Sequence, residues 1–410
     1  MAMSNLPRDL LEEVLSRVPV KSIAAVRSTC KNWNSLTYGQ SFTKKLYGKT
    51  MATKEKEFLV VMTMDLEVYL MRVNLHGIHK DDNNVKSSIM QKAKLIRLND
   101  DRVRVDDICK VFHCDGLLLC ITIGIRLVVC NPYCGQTRCI KTRRDYHITD
   151  NYALGHEKMK NSPLRNYKIL VFHDKSFLQN SWFEIYNFNS DSWKVLYFTC
   201  DWKLPFSQLV VSLKGNTYWF AREMYIHGPR IDLPDFLICF DFTTERFGPR
   251  LHLPFHSRCV DTVTLASVRE EQLAVLFQDS KTLILEVWIT TKIEPNAVSW
   301  SSKVFLEVDM SPLTGFQFNR SFGSFFIVEE KNVVVVPIKG GHFKRNLAYI
   351  IGKDEYFKEV DLGVPSSYIY FSPHVCSYVP SLVQIKKDAQ VMLQHHNVSA
   401  EKHHEFCASL

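Results

Sequence analysis

No stretch of this chain stays apolar long enough to cross a bilayer. The most apolar run, Leu117 to Cys130, is broken by Gly124 and Arg126 and falls short of the ~20 residues a membrane helix needs. Met1 to Leu15 holds no apolar leader core, so a secretory signal is not expected, and a location in the nucleus or cytoplasm is. No Cys-x-x-Cys pair occurs among the 12 cysteines. Six of them (Cys109, Cys114, Cys120, Cys130, Cys134 and Cys139) crowd together, which raises zinc as an alternative. Without that spacing, and with Cys120 and Cys130 inside predicted strands, no metal is expected. In a reducing compartment such thiols serve mainly as small buried apolar groups. No Gly-x-Ser-x-Gly elbow, phosphate loop, dinucleotide fingerprint or His-Glu-x-x-His helix is present, so no catalytic set and no cofactor is expected. The net charge is only +8. Basic residues are scattered among acids rather than gathered in a stripe, so neither nucleic acid nor membrane is an expected partner.

What is present begins with a helical pattern. Pro7 suits a first helical position, where its missing N–H is not needed. Leu10, Leu11, Val14, Leu15 and Val18 follow at helical spacing, with Glu12, Glu13, Ser16 and Arg17 on the other side. Pro19 ends that helix. Val20, Ile23, Ala24 and Val26, then Cys30, Trp33 and Leu36, predict two more short helices. Three short helices cannot cover so wide an apolar stripe among themselves, so part of it is expected to meet a partner; a helical hairpin packed on its own domain is the plainer alternative. Residues 1–48 carry 7 Lys/Arg against 3 Asp/Glu, which suits an acidic partner.

After residue 55 the pattern becomes β-type, and a two-strand phrase recurs six times. Phe58–Met62 precedes Glu67–Val73, Gly116–Cys120 precedes Leu127–Asn131, and Tyr167–Phe172 precedes Trp182–Asn187. Gly215–Phe220 then precedes Phe236–Asp241, Leu273–Phe277 precedes Leu283–Trp288, and Asn332–Pro337 precedes Leu347–Ile351. Asn131, Asn187, Asp241 and Thr291 serve as equivalent anchors, and several copies continue through a polar turn into a further strand. The period, about 50 to 60 residues, is near the roughly 50 of a four-stranded blade of kelch type. A six-bladed β-propeller is the architecture expected; a pair of β-sandwiches is the alternative. The late segment from Tyr368 to Val383 alternates and is expected to close the ring on Phe58–Val73.

Leu6-Pro7, Asp9-Leu10-Leu11, Val14-Leu15, Arg17-Val18-Pro19, Lys21-Ser22-Ile23, Arg27 and Cys30-Lys31-Asn32-Trp33 closely resemble an F-box. Val26 and Ala25 depart from the Phe and Arg common there. Asp115 to Cys120, Asn131-Pro132 and Tyr378 to Val383 resemble, more loosely, the F-box-associated interaction domain of plant F-box proteins. The chain is therefore expected to be an α+β multidomain protein. A three-helix F-box spans 1–48, a linker 49–55, a kelch-like β-propeller domain 56–385, and a flexible tail 386–410.

The resemblance implies docking on a Skp-type adaptor, and through it a cullin, by Leu6, Pro7, Leu10, Leu11, Val14, Leu15 and Pro19. Cys30 and Trp33 are left as core. It further implies a non-catalytic substrate-recognition subunit of a Skp–cullin–F-box ubiquitin ligase. A propeller enzyme or glycan-binding module addressed by an F-box, and a scaffold outside the ligase, are the alternatives. The target protein is unknown. Irregular connections at Lys141–Asn166, Arg222–Asp235 and Lys339–Asn346 are expected on the face opposite the tight turns after Asn131, Asn187 and Asp241. They carry Arg143, Arg144, Tyr146, Arg222, Tyr225, Arg230, Phe343 and Arg345, residue types suited to binding, and the target is expected to dock there mainly through Arg222, Tyr225 and Arg230. The tail holds the pairs His395-His396 and His403-His404 and ends in Cys407-Ala408-Ser409-Leu410, a prenylation box in form only.

Overall fold

A computed structural model describes residues 7–18, 26, 29–37, 42, 58–75, 88–95, 107–144, 146–147, 150–158, 165–173, 182–204, 210–223, 235–318, 323–340, 345–353, 356–365 and 372–385. Helix α1 (Arg8–Leu15) starts directly after Pro7, whose carbonyl accepts the Leu11 N–H at 3.0 Å. Helix α2 (Lys31–Thr37) follows. The middle one of the three expected helices falls mostly on residues outside the described set.

From Phe58 onward the described chain is strand and turn, apart from a 3-10 turn over Glu329–Lys331. Six antiparallel sheets follow one another. The first contains β1 (Phe58–Met64), β2 (Glu67–Asn74) and β3 (Ser88–Lys94). The second holds β4 (Ile108–Cys114), β5 (Leu117–Thr122), β6 (Leu127–Asn131) and β7 (Gln136–Ile140), and the third β8 (Asn151–Lys158), β9 (Arg165–His173), β10 (Trp182–Asn187) and β11 (Ser192–Tyr197). The fourth is built on β12 (Trp202–Lys203), β13 (Val211–Leu213), β14 (Asn216–Glu223), β15 (Asp235–Asp241), β16 (Arg246–Phe247) and β17 (Leu251–His252). The fifth uses β18 (Thr262–Val268), β19 (Gln272–Gln278), β20 (Ile284–Glu294), β21 (Ala297–Trp300) and β22 (Leu306–Asp309). The sixth uses β23 (Phe326–Val328), β24 (Val333–Lys339), β25 (Arg345–Gly352) and β26 (Phe357–Pro365).

The last strand, β27 (His374–Ser377), returns to the first sheet and pairs with β1, Val60 facing Ser377 and Thr63 facing His374. The sheets thus close into a six-bladed β-propeller, and the sandwich alternative falls. Closure covers the edge of β1, which would otherwise stand open at the seam between the chain's ends and invite aggregation. Tyr368 to Phe371, which begin the expected closing segment, lie outside the described residues.

Strand alternation explains why the ring holds. In β1, Val60 and Met62 face blade 6, where they join Val333, Val335 and Ile350. Their neighbours Leu59 and Val61 face blade 2 and join Leu118, Cys120 and Val128. A middle strand is therefore apolar on both sides: all six residues of β5 are buried. Each such Val, Leu or Ile contributes roughly 1.5–3 kcal/mol. Outermost strands such as β11 expose alternate residues instead.

The polar anchors have a separate cause. Asn131 Oδ1 accepts the N–H groups of Tyr133 and Cys134, Asn187 Oδ1 those of Asn189 and Ser190, and Asp241 Oδ1 that of Thr243. Each side chain closes the turn after the third strand of its blade. Thr291 does not belong to this set, because β20 runs on to Glu294.

The expected loop Lys141–Asn166 also needs correction: its middle is β8, the innermost strand of blade 3, and β9 begins at Arg165. Near the axis, Val111, His113, Ser212, Ala266, His374 and Cys376 line a cavity of about 30 Å³. A small-molecule site needs several hundred.

Candidate functional site

Up-and-down blades place alternate connections on opposite faces. The turns after Asn131, Asn187 and Asp241 share one face, here the turn face. The connections between second and third strands, and those between blades, leave on the other, the loop face.

On the turn face the chain beyond β27 forms a strap across blade 2. The Tyr378 N–H donates to the Leu59 carbonyl at 3.2 Å. Asn131 Nδ2 donates to the carbonyls of Ser381 at 2.9 Å and Val383 at 2.7 Å, and the Ile385 N–H donates to Gln136 Oε1 at 2.8 Å. Gly116 lies beneath the strap at φ +79°, where an added Cβ would come within 2.2 Å of Ser381 Cβ. Leu382 and Tyr133 then form one apolar cluster with Leu11, Leu15, Leu36 and Phe42. The helical N-terminal module is seated on the propeller there.

That seating divides the stripe of α1. Leu11 and Leu15 are buried under the chain's own residues, whereas Leu10 is 53% and Val14 40% exposed, with Pro7 exposed beside them. The helix offers Pro7, Leu10 and Val14 outward; Leu11 and Leu15, expected to meet a partner, are instead core. Leu6 and Pro19 lie outside the described residues.

On the loop face the connection from β7 to β8 carries Arg143, Arg144 and Tyr146. Their common partner is Glu184 of β10, which is fully buried. Arg144 Nη2 lies 2.8 Å from Glu184 Oε1 and Arg143 Nη1 3.8 Å from it. The Tyr146 hydroxyl donates to Glu184 Oε2 at 2.8 Å. Burial, reinforced by that carboxylate, pushes the phenol well above its usual range, so it stays a donor. His173 Nε2 stands 3.7 Å from Glu184 Oε2, and its Nδ1 is 3.1 Å from Asp150 Oδ2. The Arg144 guanidinium lies 5.0 Å from the centre of the Trp182 ring, a cation–π geometry. Tyr146 is thus buried and holds the site from below rather than facing outward.

The remaining expected residues are placed differently. Arg222 forks onto both oxygens of Asp235 at 2.5 and 2.6 Å, and the Ser257 hydroxyl donates to the same carboxylate. It ties the ends of β14 and β15 together, and its side chain is only 13% exposed. Arg345 pairs with Asp361 at 3.1 Å. Tyr225, Arg230 and Phe343 lie outside the described residues.

Sequence pattern misses Glu184 and Trp182, although a signal exists. An acid at an inward position of an apolar strand, as in Trp182-Phe-Glu-Ile-Tyr-Asn187, must find a buried partner. It also misses Val260 and Phe316, both exposed on inter-blade connections of this face and linked by Gln317 Nε2 donating to the Val260 carbonyl at 2.8 Å.

Comparison with known proteins follows the same division. Residues 3–45 match the F-box domain family and residues 59–385 the F-box associated beta propeller domain family. An F-box/kelch-repeat protein of Arabidopsis thaliana is 54% identical over 403 residues, covering 93% of this chain and 99% of its own. An F-box protein of the same plant is 50% identical over 417 residues, covering 93% of this chain and 99% of its own.

Proposed function

We propose, for a chain that belongs to the F-box proteins with an F-box associated β-propeller domain, the role of substrate-recognition subunit in a Skp–cullin–F-box ubiquitin ligase. The observation that carries the reading is the opposition of the two faces. The F-box helices sit on the turn face through Leu382 and Tyr133, and the irregular connections open on the other. One module docks on the Skp-type adaptor through Pro7, Leu10 and Val14. The other holds a target in the nucleus or cytoplasm, and the chain raises the target's effective concentration near the conjugating enzyme without doing chemistry itself.

Leu10→Asp with Val14→Asp puts two charges on the exposed part of α1, where desolvation would cost several kcal/mol on docking. Since neither side chain is core, the propeller should melt as before while pull-down of the adaptor and cullin disappears. Adaptor recovery equal to wild type would refute the role.

A further inference from the structure

Most of the other arginines near the loop face are matched. Arg222 has Asp235, Arg258 has Asp261 and Asp279, Arg250 has Glu223 and Asp201, and Arg345 has Asp361. At the junction of blades 2 and 3 the balance differs. Arg143 and Arg144 share the single carboxylate of Glu184, and among the described residues no other acid lies within ion-pair distance of either. Glu184 is wholly covered, yet the two side chains above it remain 51% and 39% exposed. Lys141 and His147 are exposed on the same connection.

The support beneath these guanidiniums is a connected set of buried polar groups. Glu184 is held by the Tyr146 hydroxyl at 2.8 Å and flanked by His173, which Asp150 orients. Arg144 is backed by the Trp182 ring. Both guanidiniums thus stand over a buried carboxylate while their side chains remain partly exposed to solvent. Fixed guanidiniums with spare donors bind carboxylates and phosphates through paired, charge-assisted hydrogen bonds.

We infer that Arg143 and Arg144, supported by Glu184 and Trp182, form a binding site for an anionic side chain on an extended segment of the target, a phosphorylated residue or an acidic one. The inference rests on the receptor role proposed above and supplies the chemistry of the group it reads. A peptide fits better than nucleic acid because the basic cluster is local and most other described arginines near this face pair with acids.

The test uses the full-length chain and three pools of short randomised peptides, with phosphoserine, glutamate or serine fixed at the centre. Wild type should retain the phosphoserine or glutamate pool about tenfold over serine. Preference for phosphoserine over glutamate identifies a phosphorylated segment, and equal retention an acidic one. Arg143→Ala with Arg144→Ala and Glu184→Gln, which avoids stranding a buried charge, should abolish the preference. Arg143→Glu alone, at an exposed side chain 3.8 Å from Glu184, should do the same without loss of fold, whereas Arg345→Ala should leave it intact. No anionic preference in wild type, a preference that survives Arg143→Glu, or retention of an oligonucleotide pool in place of the peptides would overturn the site. Adaptor pull-down from the same preparation is read separately, so failure of the receptor role and failure of this site give different results.

Discussion

Asn131→Ala removes four hydrogen bonds with one side chain. Its Nδ2 holds the carbonyls of Ser381 and Val383 at 2.9 and 2.7 Å, and its Oδ1 takes the N–H groups of Tyr133 and Cys134 at 3.1 and 3.2 Å. The side chain is fully buried, so water cannot easily replace it. At about 1 kcal/mol for each bond, with extra cost for groups left unpaired, the loss should be about 3–5 kcal/mol. Asn187 provides the matched control. Its Oδ1 closes an equivalent turn at 2.8 and 3.3 Å through exposed groups and holds no strap, so Asn187→Ala should cost no more than about 1 kcal/mol. Urea unfolding measures both. Hydrogen exchange then locates the damage: in Asn131→Ala, faster exchange should appear in His374–Ser377 and also in Arg8–Leu15, because Leu382 leaves the cluster that seats α1. Equal costs for the two substitutions, or unchanged exchange in both segments, would refute the claim that the strap joins ring closure to F-box seating.

Two other outcomes follow from closure and from buried imidazoles. Truncation after Gly363 removes β27 and the strap, so it should leave an aggregating chain, while truncation after Lys387 should melt like wild type; a soluble, cooperative Gly363 truncation would contradict the closed ring. Burial lowers His113 and His374 from 6.5 to about 4, so the unfolded chain binds protons that the folded chain refuses between those values. Stability should therefore be complete above pH 6.5 and fall by up to about 1.4 kcal/mol per pH unit for each imidazole as pH drops towards 4. Melts of wild type and His374→Gln across that window check the slope, which the substitution should reduce.

The second and third strands of every blade were legible because neighbouring blades press on both of their sides. Such strands are mostly apolar on both sides, and runs like Leu117 to Cys120 announce them. The turn anchors were legible for an equally local reason, since an Asn or Asp side chain caps the two or three residues that follow it. Innermost strands obey a different rule. Six of them crowd the axis, where small residues such as Ala153 and Gly155 fit and polar ones find partners on other blades. His156 Nε2, for example, reaches Asp115 Oδ2 at 2.8 Å, and Arg165 engages the same carboxylate. The segment Asn151–Lys158 therefore carries a pattern that reads as loop and is a strand only because its neighbours accept it.

Site residues divide the same way. Residue types and helical spacing alone mark the F-box and the arginines of the loop face, since both depend on a few contiguous positions. Which side of α1 remains outward depends on Tyr133 of blade 2 and on Leu382, which closure of the ring brings beside it. Which arginines remain open depends on where the acids fall: Asp235 is matched to one arginine, Arg222, through Nε and Nη2, while Glu184 must serve Arg143 and Arg144 together. Local sequence determined the second and third strands, the turns and the family motif, because each is written in contiguous residues. Only the tertiary structure decided which polar groups neutralise each other, because a buried charge takes its partner from whichever strand or blade stands beside it.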